Sequence, residues 1–301
     1  LWTIPHREWQ LYIGYIMSIE FIRERSFENK GLKFTAKEWG RSGYPPVIAL
    51  HGWLDNANTF DRMLPHMENL HVIAVDLAGH GRSDFRSQDS GYDIWHDIGD
   101  VMAIADQMGW ETFGLIGHSR GAIISGLVAG TFPERITQVA MIDGYLPLPE
   151  EAHNTAKHIA RAIHENKRFG AASPTGFADY ERAVQARVKG FVPLDHDAAA
   201  ILAERGVVEA DGLFYWRNDQ RLKAASMVKF SKDHLQSFLT AIRGRVILVQ
   251  AQNSAFTPSP EQSAAFEWIP HMKIIKLPGS HHLHLEGQAE QVARSIQPLF
   301  T

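Results

Sequence analysis

The chain has 301 residues, 45% of them hydrophobic and 21% charged, an ordinary globular composition that excludes fibrous and disordered classes and leaves ample interior for a core. Thirty Lys and Arg against 34 Asp and Glu give a formal charge of −4, and no basic block follows a phosphate backbone, so no nucleic-acid partner is expected. Cysteine is absent, which excludes disulfides, thiolate nucleophiles and Cys-ligated metal sites together.

At the start, Leu11 to Ile19 has the length of a signal-peptide core but lacks a basic flank and a small-residue cleavage site, so a cytoplasmic location is expected. Met17 followed by Ser-Ile-Glu-Phe reads as a natural start, which makes residues 1–16 an added N-terminal extension. Short β-branched runs then recur: Glu20 to Ser26, Leu32 to Trp39, Val47 to Leu50, His71 to Asp76, Thr112 to Ile116, Gln138 to Asp143, Val246 to Gln250 and Met272 to Leu277. Helix-length segments such as Trp95 to Met108, Ala122 to Thr131 and Ala289 to Phe300 separate them. This alternation predicts an α/β fold, an eight-stranded mostly parallel sheet with helices on both faces and an antiparallel hairpin at one edge. Gly121 to Pro133, the longest uncharged stretch near the middle, is too short for a bilayer span of about 20 residues.

Between Tyr145 and about Thr240 the strand signal vanishes, and amphipathic segments such as His153 to Asn166 and Phe177 to Val188 take over. The reading is a helical lid, residues 145–240, inserted after the sixth strand into a core formed by residues 17–144 and 241–301. Its position sets it over the carboxyl ends of the strands, where open α/β sheets bind ligands.

Gly117-His118-Ser119-Arg120-Gly121 fits G-x-S-x-G and stands directly after an apolar strand and directly before a helix, the context the motif requires. A sharp strand-to-helix turn there would project the Ser119 hydroxyl into a cleft, with the helix N-terminus aimed at developing negative charge. A serine at its free pKa is a poor nucleophile and needs a histidine base and a carboxylate that orients it. In this fold both follow the serine, acid first and histidine after the last strand. Three histidines compete in Pro278-Gly279-Ser280-His281-His282-Leu283-His284. His281 is preferred because it comes first, two residues after the turn glycine, and His284 is read as a brace for the loop. Metal binding by the three has no complementary H-E-x-x-H helix to support it.

After the seventh strand, Gln250 to Phe256 contains no acid, and none occurs between Asp233 and Glu261. After the sixth, Asp143 ends an apolar run, so Asp143 is the expected acid; an Asp capping the next turn is the competing reading. Backbone N–H groups of Trp53, in the loop after the third strand, and of Arg120 are the expected oxyanion donors. His51, in the same loop, reads either as a structural hydrogen-bonder or as part of the substrate pocket. Asp76 to Asp84, with two glycines, reads as scaffold and lacks nucleotide-binding spacing.

These words, with Phe132-Pro133-Glu134-Arg135, resemble the α/β-hydrolase superfamily. Gly52-Trp53-Leu54-Asp55-Asn56 with Phe60-Asp61-Arg62, Arg217 to Leu222, and Pro278-Gly279-Ser280-His281 are similar to the serine hydrolase-like family that includes the kraken proteins. The resemblance runs from about Phe21 to the C-terminus. It implies a serine esterase-type hydrolase of small-molecule esters without metal or organic cofactor, with Ser119, Asp143 and His281 at the triad positions. Relatives usually carry an uncharged residue at Arg120, so a cation here is expected to narrow the pocket or attract acidic substrates.

Arg217, Asp219 and Arg221 read as lid-to-core salt bridges rather than a substrate clamp. Phe214, Tyr215 and Trp216 read as the lid's inner apolar wall. The candidate substrate-binding set is His51, Leu54, His118, Tyr145, Tyr215 and Trp216. The expected reaction is carboxylic ester hydrolysis; a carbon–carbon bond hydrolase or lyase on the same triad, and a binding module that keeps the triad, are the alternatives. Oligomeric state is open.

Overall fold

The computed structural model describes residues 18–301 apart from positions 148 and 257. The expected extension, residues 1–16, and the start at Met17 lie outside the described residues. In chain order the strands are β1 (Phe21–Asn29), β2 (Leu32–Gly40), β3 (Pro46–Leu50), β4 (His71–Val75), β5 (Phe113–His118), β6 (Ile136–Ile142), β7 (Val207–Ala210), β8 (Leu213–Trp216), β9 (Arg245–Ala251) and β10 (Lys273–Leu277). The helices are α1 (Ile94–Gln107), α2 (Arg120–Thr131), α3 (Thr155–Gly170), α4 (Tyr180–Val188), α5 (His196–Gly206), α6 (Lys232–Thr240), α7 (Pro260–Ala264) and α8 (Ala289–Ile296).

Eight strands form one sheet in the order β1-β2-β4-β3-β5-β6-β9-β10. β2 pairs antiparallel with β1 and β4; every other pair is parallel. The central strands are buried almost throughout and mostly apolar, because both faces are covered. Ile48, Leu50, Ile73, Leu115, Val139, Met141 and Leu248 point to one core, shared with Ile98 and Val101 of α1, Leu127 and Val128 of α2 and Leu239 of α6. Their neighbours Val47, Ala49, Val72, Ile116, Ala140, Ile142 and Val249 point to the other, with Phe60, Leu64, and Val292 and Ile296 of α8. The period of two along each strand thus makes a helix–sheet–helix sandwich.

Residues 145–240 leave the sheet after β6 and return before β9. Here the structure departs from an all-helical reading: β7 and β8 pair as an antiparallel hairpin. Asp211 and Gly212 both take positive φ, 52° and 73°, as a tight two-residue hairpin turn requires. The helix expected from Phe177 starts at Tyr180, because the Asp179 side chain accepts from the Arg182 N–H and caps it, while Phe177 bridges to Phe214. The last helix gives way to a 3-10 turn over Gln297–Leu299, where Pro298 removes a donor. Val184, Leu194, Ala198, Leu202 and Leu285 form a small core of their own. Arg205 of α5 reaches the main sheet, with Nε 2.8 Å from Asp76 Oδ2 and Nη1 2.7 Å from Glu24. Among the described residues, no helix is long and apolar enough to cross a membrane.

Candidate active site

Ser119 sits between the end of β5 and the first residue of α2, at φ 52° and ψ −116°. For a non-glycine residue this is a strained backbone, held by its surroundings. A Cβ on Gly121 would stand 1.9 Å from the Leu50 carbonyl oxygen, and one on Gly117 would stand 2.3 Å from that of Gly121. The motif's glycines therefore let helix and strand approach closely enough to force the turn. The Ser119 side chain makes no capping bond. At the start of α2 the Ala122 and Ile123 N–H groups donate to the Ser119 carbonyl at 3.0 and 3.2 Å, while that of Arg120, the first residue, has no acceptor within the helix.

Asp143 follows β6 directly, also at positive φ, 43°. Its N–H donates to Val249 O at 2.8 Å, and its carboxylate accepts from the Ala251 N–H at 2.9 Å and from Ser254 Oγ. His281 Nδ1 donates to Asp143 Oδ2 at 2.7 Å. The base expected from the loop after the last strand and the acid expected after the sixth are thus brought together. Burial lowers the His281 pKa below the ordinary imidazole value; the Asp143 hydrogen bond opposes that shift and the His118 ring adds to it.

Ser119 and His281 line one cavity of about 310 Å³. No hydrogen bond joins their side chains among the described residues. His284 is fully buried, its Nε2 2.9 Å from Thr59 Oγ1, as a loop brace would be.

Of the expected substrate-binding residues, Leu54, His118 and Trp216 line the cavity, as do the oxyanion candidate Trp53 and also Phe177, Phe191 and Phe256. His51, Tyr145 and Tyr215 do not. His51 is fully buried, Nδ1 donating to Gly52 O at 2.7 Å and Nε2 accepting from the Leu77 N–H at 3.0 Å, so both nitrogens serve the loop. Tyr145 donates to Phe256 O and lines a second cavity together with Asp143, and Tyr215 lies beside Gly176. Arg120 also departs from expectation: its guanidinium turns to Asp97 Oδ2 at 2.7 Å and Tyr92 O at 3.2 Å, outside the cavity lining. Asp219 and Arg221 pair at 2.7 Å, and both reach the loop at residues 86–92, through Tyr92 Oη on Asp219 and Arg221 on the Ser87 carbonyl. Arg217 stands outside this pair.

Asp55, read only as part of a motif, is a second buried carboxylate, and unlike Asp143 it lines the cavity with Ser119 and His281. It accepts from His282 Nε2 at 3.1 Å and from Arg187 Nη2 at 2.9 Å. Its Oδ2 lies 3.6 Å from His118 Nδ1, while His118 Nε2 donates to the His281 carbonyl at 3.0 Å. Burial opposes its ionisation, but His282, His118 and Arg187 together hold it well below the carboxylate range. His282 is pushed down to about 4 by burial against the pull of Asp55. Asp55, His118 and His282 are the one group among the described residues with donor atoms close enough, within 4.8 Å, to hold a metal. The Arg187 guanidinium already stands on that carboxylate and 3.3 Å from His282 Nε2, so the residues present do not fit an additional cation.

The family model of the alpha/beta hydrolase fold matches residues 45–288. A Serine hydrolase-like protein of Danio rerio is 28% identical over 274 residues, 86% of this chain and 84% of that one. Serine hydrolase-like protein 2 of Homo sapiens is 28% identical over 279 residues, 87% and 88% of the two chains. A hypothetical protein from Pseudomonas aeruginosa PAO1, known by crystal structure, is 37% identical with a TM-score of 0.89, covering 93% of this chain and 99% of its own. The chain belongs to the alpha/beta hydrolase fold family, and within it is similar to the serine hydrolase-like proteins.

Proposed function

We propose that the protein is a serine hydrolase that cleaves small to medium carboxylic esters through an acyl-enzyme on Ser119. The observation that carries this reading is the 2.7 Å His281–Asp143 contact at the edge of a cavity that Ser119 also lines. His281 Nε2 takes the Ser119 proton as Oγ attacks the ester carbonyl, and Asp143 holds the imidazole with Nδ1–H toward the carboxylate. The Trp53 and Arg120 amides bind the oxyanion, each contributing about 3–4 kcal/mol to lowering the barrier. His281 returns its proton to the leaving alkoxide, and water then repeats the sequence on the acyl group.

Residues 145–240 act as the lid. Phe177, Phe191 and Trp216 come from it, and with Trp53, Leu54 and Phe256 they make an apolar wall suited to an aliphatic or aryl group. Three exposed-side rings meet at the mouth: Phe191 lies 6.5 Å from Trp53 and 6.3 Å from Phe256, centroid to centroid. Nitrophenyl esters graded by acyl size, assayed beside a vinylogous diketone with Ser119→Ala as control, test the reading. Ester turnover lost in the variant is expected. Cleavage of the diketone without cleavage of any ester would assign carbon–carbon bond hydrolysis instead.

A further inference from the structure

Asp55 and Arg187 lie 132 residues apart, one in the loop after β3 and the other on α4. Neither touches Ser119 or Asp143 by hydrogen bond among the described residues, yet both line the cavity that His281 lines. The links are continuous. Arg187 Nη1 is fixed on Val192 O at 2.9 Å, and Nη2 on Asp55 Oδ1 at 2.9 Å. The other carboxylate oxygen accepts a hydrogen bond from His282 Nε2–H at 3.1 Å and lies 3.6 Å from His118 Nδ1. His118, fully buried, spends its Nε2–H on the main-chain carbonyl of His281. The rings of His118 and His282 lie 4.7 and 5.0 Å from that of His281.

We propose that Asp55 and Arg187 are positioning residues for the base: the carboxylate holds the His282 ring by hydrogen bond and stands beside His118, the two rings that seat His281, and Arg187 brings from the inserted segment the counter-charge that this buried carboxylate requires. A carboxylate with no exposed oxygen is costly unless paired and hydrogen-bonded, and here the pairing cation arrives from the segment that roofs the cavity. Seating of the base therefore depends on α4 being in place, which links the inserted segment to the chemistry as well as to the pocket shape. The proposal rests on Ser119 and His281 acting as described above.

The charged and titratable groups around His281 are Asp143, His118, His282, Asp55 beyond them, His284 against His118 at 4.2 Å, and Arg187. Asp55→Asn keeps shape but removes a negative charge that favours the His281 imidazolium, so the acid limb of kcat/KM moves to lower pH. A misseated base costs about 100-fold in kcat. The test is a cycle of Asp55→Asn, Arg187→Met and the double variant, with Arg187→Lys added, each checked for folding by circular dichroism. The unaltered enzyme is first labelled at Ser119 by a fluorophosphonate; failure there overturns the triad reading and, with it, this one.

With labelling secured, the expected result is a fall in kcat for each single variant and a double variant no slower than the worse single. Partial recovery in Arg187→Lys and the acid-limb shift in Asp55→Asn complete the pattern. Additive losses in kcat, or folded single variants with unaltered kcat and acid limb, would overturn the proposal. If Asp55→Asn does not fold, the comparison of Arg187→Met with Arg187→Lys decides: equal kcat in the two, at the unaltered value, rejects it.

Discussion

Asp143 and His281 meet at 2.7 Å although 138 residues separate them in the chain. The meeting is made by parallel strands that end at one edge, with β6 beside β9 and β9 beside β10. Asp143→Asn keeps the shape of the acid but offers an amide N–H or a weak acceptor where Nδ1–H needs a carboxylate. A loss of about 10⁴-fold in kcat is expected, with little change in KM, measured on a nitrophenyl ester. Unchanged turnover would show that a different carboxylate orients His281.

The turn that carries Ser119 admits no side chain at Gly121, since its Cβ would stand 1.9 Å from the Leu50 carbonyl oxygen. That oxygen is backbone and cannot rotate aside. Gly121→Ala is therefore expected to cost more than about 4 kcal/mol in urea unfolding or to prevent folding. A soluble variant with unaltered midpoint would mean the helix has room that this packing denies it.

The His281 pKa lies below the ordinary imidazole value, so the base stays neutral further into acid than a free histidine. The acid limb of kcat/KM is expected below about pH 6.5, the free-imidazole reference. Stability moves with the same sign. His51, His80, His282 and His284 are also lowered, chiefly by burial, so below about pH 6.5 the unfolded chain binds more protons than the folded one. The melting temperature should fall as pH drops from 7 towards 5. A flat or rising melting curve over that window would contradict burial of these rings as neutral groups.

Arg205 and Asp76 are both buried, and Arg205 also reaches Glu24 on β1. Asp76 is further held by the Ala57 and Arg82 N–H groups, each at 2.8 Å. Arg205→Met would leave that carboxylate without its cation. A destabilisation of about 3–5 kcal/mol is expected in urea unfolding; a change within about 0.5 kcal/mol, the size of an ordinary surface substitution, would show that the pair is dispensable.

The sheet was legible because each buried strand is a short β-branched run, and the eight runs read from the sequence are the eight strands of the sheet. Ser119 was legible for a local reason: motif, preceding strand and following helix are contiguous. Asp143 is reached by exclusion, because residues 250–256 hold no acid while Asp143 closes an apolar run, and the structure sets its carboxylate 2.7 Å from His281 Nδ1. Tertiary placement limited the rest. The Asp211-Gly212 turn signal for β7 and β8 is present in the sequence but lies in a segment whose helical periodicity dominates. Arg187 and Phe191 carry no motif, and their place in the cavity follows from how α4 docks. Arg120 stands next to Ser119 in sequence, yet the first turn of α2 carries its side chain away to Asp97.

Reaction of the folded protein with a fluorophosphonate, followed by mass mapping of the modified peptide, addresses the nucleophile and its activation at once. One adduct on Ser119 is expected, abolished in Ser119→Ala and slowed severely in His281→Ala. A folded, unmodified protein, or an adduct on another residue that persists in Ser119→Ala, would contradict a hydroxyl activated by His281.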